Sequence, residues 1–346
     1  CFASKQELQL IREKTNSFQY NGLWRDRSDE EINEQLELGN PYTIRLKTPN
    51  KGFIAFGDLI FGEIRVSNNE IDDFIIIRSD GSPVYNFTNV IDDYDMNISH
   101  VIRGEDHISN TPKQLHIYQA LGFDNPSFAH LPMILGEDKK KLSKRHGAES
   151  VESYKDKGFQ SAPLINYLAL LGWNPGTNEE IMNLPQLISK YDLQKVQKKS
   201  AVFDSKKFNW VSSQYLLKQD PNTILQLIRK LEPTWGEKKP EEFCIRAIDL
   251  MIPRCNFIGD IIQHSFYFFD YPKFYNVVDQ KKVWKDETAI ILKEIIQLYE
   301  KLEDLDHQSL ENLFKGYINS SGHGFGQVMK PMRLAICGSL TGPSLF

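Results

Sequence analysis

The chain has 346 residues, enough for two or three domains with cores of their own. A composition 40% hydrophobic and 25% charged excludes a fibrous or low-complexity protein, and no apolar run approaches the ~20 residues of a membrane-spanning helix. The net charge of -5 argues against indiscriminate binding of polyanions, so any nucleic-acid contact is expected on particular surfaces. No charged-then-apolar leader opens the chain, and the four cysteines (Cys1, Cys244, Cys255, Cys337) form no C-x-x-C pair. Reduced, mostly buried thiols in a cytoplasmic protein are expected.

Residues 4–14 and 28–38 predict short helices, the first capped by Ser4 with Glu7 three residues on, the second by Ser28 with Glu31 and stopped at Gly39. From Tyr42 to Ser67 the apolar period drops to two, and "YTIRL", "GFIAF" and "GEIRV" predict strands in a small antiparallel region. The stretch "DDFIIIRSDGSPVYNF" predicts a buried strand, a turn at Ser-Asp-Gly-Ser-Pro and a second strand; were residues 85–93 to enter a helix instead, Tyr85 and Asn89, four apart, would share a face. From about residue 100 the order is strand ("HVIRG"), helix ("EDHISNTPKQLHIYQALG") and strand ("FAHLPMIL"), the alternation of a parallel sheet flanked by helices. Ligands of such sheets sit at the carboxyl ends of the strands, where Gly104 and Gly136 fall. After Gly147 the periodicity is helical, so the fold class is α/β followed by all-α.

The segment "EDKKKLSKRHGA" at 137–148 carries six basic or potentially basic side chains and then a glycine. Its cations cannot all be buried. A cationic loop leaving a strand end suits a polyphosphate whose charge shifts during reaction. A solvated, charge-rich turn is the plain alternative.

These residues carry a resemblance. "KLSKR" is similar to the KMSKS signature of class I aminoacyl-tRNA synthetases. Together with "VIRGEDHISNTPKQ" and "DGSPVYNFTNVIDDYDM", it resembles bacterial glutamyl-tRNA synthetases over nearly the whole chain. The resemblance implies a two-step reaction in which L-glutamate and ATP, carried with Mg2+, form glutamyl adenylate, and the 3′ end of tRNA(Glu) takes the glutamyl group. It implies the second half of a Rossmann-like nucleotide-binding domain at 73–137, preceded by an α+β connecting insertion at 1–72. The KLSKR loop with a helical stem-contact region would follow at 138–219, and a helical anticodon-binding domain at 220–346. A monomer is the family expectation.

By the same resemblance, Lys141, Ser143, Lys144 and Arg145 form the catalytic loop, with Lys144 neutralising the departing pyrophosphate. Tyr85, Asn89 and Arg103 would hold glutamate; Arg103 ends an apolar strand, and a guanidinium pairs with a carboxylate bidentately. The plain alternatives are an ion pair of Arg103 with Glu105 or Asp106, and a core packing role for Tyr85. Asp106 and His107 would lie near the adenylate, and Leu131 and Met133 would wall the adenine. No acid lies near His130 in sequence, so a structural hydrogen-bonding role is expected for it. Two basic clusters supply Lys198, Lys199, Lys206 and Lys207 as candidates for phosphate contacts with a tRNA stem, against a plain solvated surface. Arg254 aligns with an arginine that approaches the anticodon in relatives; a pairing with Asp260 is the alternative.

Three departures from the family pattern stand out. The His-Ile-Gly-His signature of the first half-domain does not occur, so a preceding segment is expected and the chain alone is expected not to activate glutamate. A further helix is expected beyond Phe346. Some relatives bind zinc in the insertion; here Cys1 matches one ligand, but Trp24 stands where another cysteine belongs and His100 lies outside, so no zinc is expected. Two rival functions remain open: a non-catalytic tRNA-binding remnant, and glutamylation of a modified tRNA base, against which the helical residues 220–346 argue.

Overall fold

A computed structural model describes residues 1–17, 19–142, 149–303 and 305–345. The chain forms two compact units, one of residues 1–142, 171–178 and 190–203, the other of residues 143–170, 179–189 and 204–346.

The first unit opens with α1 (Lys5–Thr15) and α2 (Asp29–Glu37), and both expected capping boxes form, Ser4 with Glu7 and Ser28 with Glu31. A four-stranded sheet follows, built from β2 (Phe53–Asp58), β3 (Gly62–Ser67), β5 (His100–Gly104) and β6 (Ser127–Leu131) in the order β3-β2-β6-β5. The β2–β3 hairpin is antiparallel, whereas β6 runs parallel to both β2 and β5. The hairpin is therefore part of the same mixed sheet as the parallel strands. Short strands β1 (Ile44–Arg45) and β4 (Ile75–Ile77) pair with each other, as do β7 (Ile134–Leu135) and β8 (Ala201–Val202).

The strand predicted after the Ser-Asp-Gly-Ser-Pro turn is instead a helix, α3 (Tyr85–Asp95). Phe87, Val90, Ile91 and Tyr94 recur at helical spacing and outweigh the β-formers at its start. The turn itself forms as expected, with Gly81 at φ +80° and Asp80 accepting from the Ser82 amide. The helix predicted from Glu105 onward divides into a 3-10 turn at Glu105–Asn110 and α4 (Thr111–Leu121), which Gly122 closes in the left-handed conformation. Helices α3 and α4 cover the sheet, and Ile54, Phe56, Val90, Leu115, Ile117, Tyr118 and Phe128 form the core between them. Burying each such side chain contributes about 1.5–3 kcal/mol.

The second unit is helical: α5 (Val151–Asp156), α6 (Ser161–Leu170), α7 (Leu184–Lys190), α8 (Ser205–Leu216), α9 (Pro221–Leu231), α10 (Glu241–Met251), α11 (Ile258–His264), α12 (Val277–Val283), α13 (Thr288–Tyr299), α14 (His307–Ser321) and α15 (Phe325–Cys337). One core joins α9, α10 and α11 through Ile224, Ile228, Cys244, Ile248, Ile258 and Ile261. Another joins α13, α14 and α15 through Ile291, Ile295, Phe314, Tyr317 and Val328. Cys244, Cys255 and Cys337 are buried free thiols, and burial pushes Cys255 up to about 12.

The end of α5 touches the start of α11 backbone to backbone. A Cβ on Gly259 would stand 2.0 Å from the carbonyl oxygen of Lys157. Gly259→Ala is therefore expected to destabilise this unit by about 1–3 kcal/mol, read as a lower denaturation midpoint. An unchanged midpoint would mean that this approach is not tight.

Candidate active site

Three strands deliver their carboxyl ends to one place: Asp58 ends β2, Arg103 and Gly104 end β5, and His130 and Leu131 end β6. Arg103 and His130 are direct partners in the parallel register. The Arg103 guanidinium donates from Nε to His130 Nε2 at 3.2 Å, and from Nη2 to Thr111 Oγ1 and Gln114 Oε1, both at 2.8 Å. Gln114 passes the network on, donating to Asn89 Oδ1 at 2.8 Å. These bonds use Nε and Nη2, and Tyr85, at the start of α3, is close enough to act electrostatically on the guanidinium. Burial draws the Arg103 pKa below its ordinary value, opposed by Tyr85 and Asp93, but a guanidinium stays protonated.

The predicted glutamate residues Tyr85, Asn89 and Arg103 thus lie in one network. The alternatives do not form: Arg103 pairs with neither neighbouring acid, since Glu105 accepts from the Met133 amide at 2.8 Å and Asp106 from Lys141 Nζ at 2.8 Å. Tyr85 is 52% exposed, not a core aromatic, and its ring centroid is 6.1 Å from that of His107. Thr111, Gln114 and Asp58, none of them singled out in the sequence, are buried participants. Each looks unremarkable along the chain; only the fold sets Thr111 and Gln114 beside the guanidinium and Asp58 behind His130.

Ser143, Lys144 and Arg145 lie outside the described residues. The root of their loop is described. Leu142 donates its amide to Ile134 O at 3.0 Å, and Lys141 bridges to Leu135 and pairs with Asp106, three residues past Arg103. That pair draws the Asp106 carboxyl below its usual range. Leu131, the last residue of β6, and Met133, between β6 and β7, are half-buried.

The remaining candidates are placed unevenly. Lys199 and Lys206 are exposed. Lys198 donates to the Phe61 carbonyl at 3.0 Å, and Lys207 pairs with Glu180 and lies over the Trp210 ring at 4.0 Å, so those two charges are partly engaged. Arg254 does not pair with Asp260, which accepts from the Asn256 amide; it donates to the carbonyls of Gly342 and Leu250 and lines a cavity of about 260 Å³ with His264, Phe266 and Tyr267. In the insertion, Cys1 Sγ lies 3.5 Å from Tyr20 Oη, while Trp24 packs its ring edgewise on Phe2 with centroids 5.1 Å apart. Two donors and an indole do not fit a four-ligand zinc site. Among the described residues no three His, Cys, Asp or Glu side chains converge on a metal position.

A mixed sheet whose parallel strand ends carry an arginine and a cationic loop is the arrangement of a class I aminoacyl-tRNA synthetase. Residues 1–210 match the family model described as tRNA synthetases class I (E and Q), catalytic domain, and residues 226–346 match an anticodon binding domain. The chain belongs to the glutamate–tRNA ligase family of that class. It is 38% identical over its full length to a glutamate–tRNA ligase of Thermodesulfovibrio yellowstonii, covering 75% of that protein, and 37% identical to one of Caldanaerobacter subterraneus, covering 74%. The crystal structure of a glutamate tRNA ligase from Elizabethkingia meningosepticum in complex with its amino acid superposes with a TM-score of 0.82 at 32% identity, covering all of this chain and 74% of that one.

Proposed function

We propose that this glutamate–tRNA ligase holds the side-chain carboxylate of L-glutamate between Arg103 and Tyr85, while the α-carboxylate attacks the α-phosphorus of ATP. The observation that carries this reading is the state of the Arg103 fork. Its Nε and Nη2 donate to His130, Thr111 and Gln114, and in this reading an arriving acid meets Nη1 and the Tyr85 hydroxyl. The carboxylate is thus met by one amino group and a phenol rather than by a full bidentate fork. Asn89, held by Gln114, fixes the wall of the pocket.

In this reading Leu131 and Met133 flank the adenine, and His107 and Asp106 border the adenylate. The phosphates are assigned to Lys141, Ser143, Lys144 and Arg145, with Mg2+ accompanying ATP, and Lys144 offsets the charge of the departing pyrophosphate. The tRNA(Glu) stem meets the exposed Lys199 and Lys206 foremost, with Lys198 and Lys207 contributing less because each already has a partner. Arg254, in the all-helical half, approaches the anticodon. The chain works as a cytoplasmic monomer without zinc.

Pyrophosphate exchange into ATP by the full-length protein, with and without tRNA, tests this. Exchange that depends on glutamate is expected. Absence of exchange under both conditions while tRNA still binds would replace the ligase with a tRNA-binding remnant.

A further inference from the structure

The Arg103 side chain is held from behind by a pair that sequence proximity conceals. His130 and Asp58 are 72 residues apart, and the side chains of both are fully buried. His130 Nδ1 lies 2.6 Å from Asp58 Oδ2, which also accepts the His130 amide at 3.1 Å. Asp58 Oδ1 accepts the amides of Ile60 at 2.9 Å and Phe61 at 2.8 Å, so the carboxylate is fixed by four N–H groups. On the far side of the imidazole, Nε2 meets Arg103 Nε at 3.2 Å and the Thr111 hydroxyl at 3.2 Å.

The tautomer follows by elimination. A carboxylate has only lone pairs to offer Nδ1, and a guanidinium nitrogen only a hydrogen to offer Nε2. His130 must carry its proton on Nδ1 and present a lone pair from Nε2. We propose that the Asp58–His130 pair is a positioning device for glutamate selection: Asp58 fixes the imidazole as the Nδ1–H tautomer, and the Nε2 lone pair clamps Arg103 Nε so that Nη1 stays turned to the substrate acid. The proposal rests on Arg103 as the glutamate ligand and deepens that reading.

The surroundings favour the neutral ring. Three charged or titratable groups face it, Asp58 from β2, Arg103 from β5 and His107 from the 3-10 turn. Burial is the first cause that draws its pKa below the ordinary value; Asp58 opposes this, and Arg103 and His107 add to it. A proton on Nε2 would face Arg103 with two donors and open the clamp. The KM for glutamate should therefore rise as pH falls through this depressed pKa and be flat above it.

Two variants separate clamping from packing. Asparagine at 130 can still donate to Asp58 but offers Arg103 nothing, whereas glutamine extends an oxygen toward the Nε2 position. His130→Asn is expected to raise the KM for glutamate roughly tenfold to a hundredfold, the loss of a hydrogen bond to a charged group. The KM for ATP should stay within about twofold, and His130→Gln should recover most of the loss and abolish the acid-side rise. A purely structural role would instead move both KM values together, in step with the melting midpoint, and would overturn the proposal, as would a wild-type glutamate KM in folded His130→Asn. Should the variants not fold, 15N NMR of histidine-labelled wild-type full-length protein decides. An Nδ1–H tautomer with a bare Nε2 at neutral pH is expected, and an Nε2–H tautomer or an imidazolium contradicts the clamp. If Arg103→Ala leaves glutamate KM unchanged, it is the pocket assignment that fails, whatever His130 does.

Discussion

Arg103→Ala is expected to raise the KM for glutamate in pyrophosphate exchange by about 10²–10³-fold, as removal of one partner from a buried charge pair costs roughly 2–5 kcal/mol. The KM for ATP and the affinity for tRNA should change little, because ATP is assigned to the loop after β7 and tRNA to other surfaces. The truncation also leaves Gln114 Oε1 and Thr111 Oγ1 without the guanidinium that each now faces, and His130 Nε2 with the Thr111 hydroxyl alone. Part of the loss is thus a disordered pocket wall, carried to Asn89 through Gln114. Arg103→Lys separates the two effects: it keeps the charge but cannot reach His130, Thr111 and Gln114 at once, so glutamate KM should remain well above wild type. An unchanged glutamate KM in Arg103→Ala, with the protein folded, would remove Arg103 from the substrate site.

Lys144→Ala is expected to slow adenylate formation by about 10²–10³-fold with near-normal glutamate binding, the pattern of a group whose interaction strengthens only as charge develops. The described root of the loop gives the position its meaning. Lys141 is tied to Asp106, and Leu142 to Ile134, so the described root of the loop is anchored near the end of β5. Single-turnover formation of glutamyl adenylate reads the rate, and equilibrium binding reads the affinity. A collapse of glutamate binding, with the rate at saturation preserved, would mean that the loop serves the amino acid rather than the phosphates.

The local parts of this fold were legible because their signals lie within three or four residues. Ser4 with Glu7 and Ser28 with Glu31 formed the expected boxes, Gly122 closed α4, and "HVIRG" and the first half of "FAHLPMIL" became the parallel pair β5 and β6, while the predicted single strand broke at Pro132 and its Ile134–Leu135 formed β7. The strand expected at Val84–Phe87 failed because β-forming residues at a helix start were weighed before the longer period of Phe87, Val90, Ile91 and Tyr94. The site divides in the same way. Arg103, Tyr85 and Asn89 stand in recognisable motifs, and the fold gathers them. Asp58 was invisible as a partner of His130 because their contact depends on β6 running parallel to β2, and pairing across a sheet leaves no periodic trace in either strand. Gln114 sits in the middle of α4, where a buried polar residue among Leu115, Ile117 and Tyr118 signals a partner without saying which.

The most direct measurement is a crystal structure of the full-length protein bound to a non-hydrolysable glutamyl adenylate analogue. The account predicts the glutamyl side-chain carboxylate on Arg103 Nη1 and the Tyr85 hydroxyl, with Lys144 beside the phosphate-equivalent group of the same molecule. An analogue bound with Arg103 still turned to protein partners alone, or with Lys144 on a separate face, would contradict it.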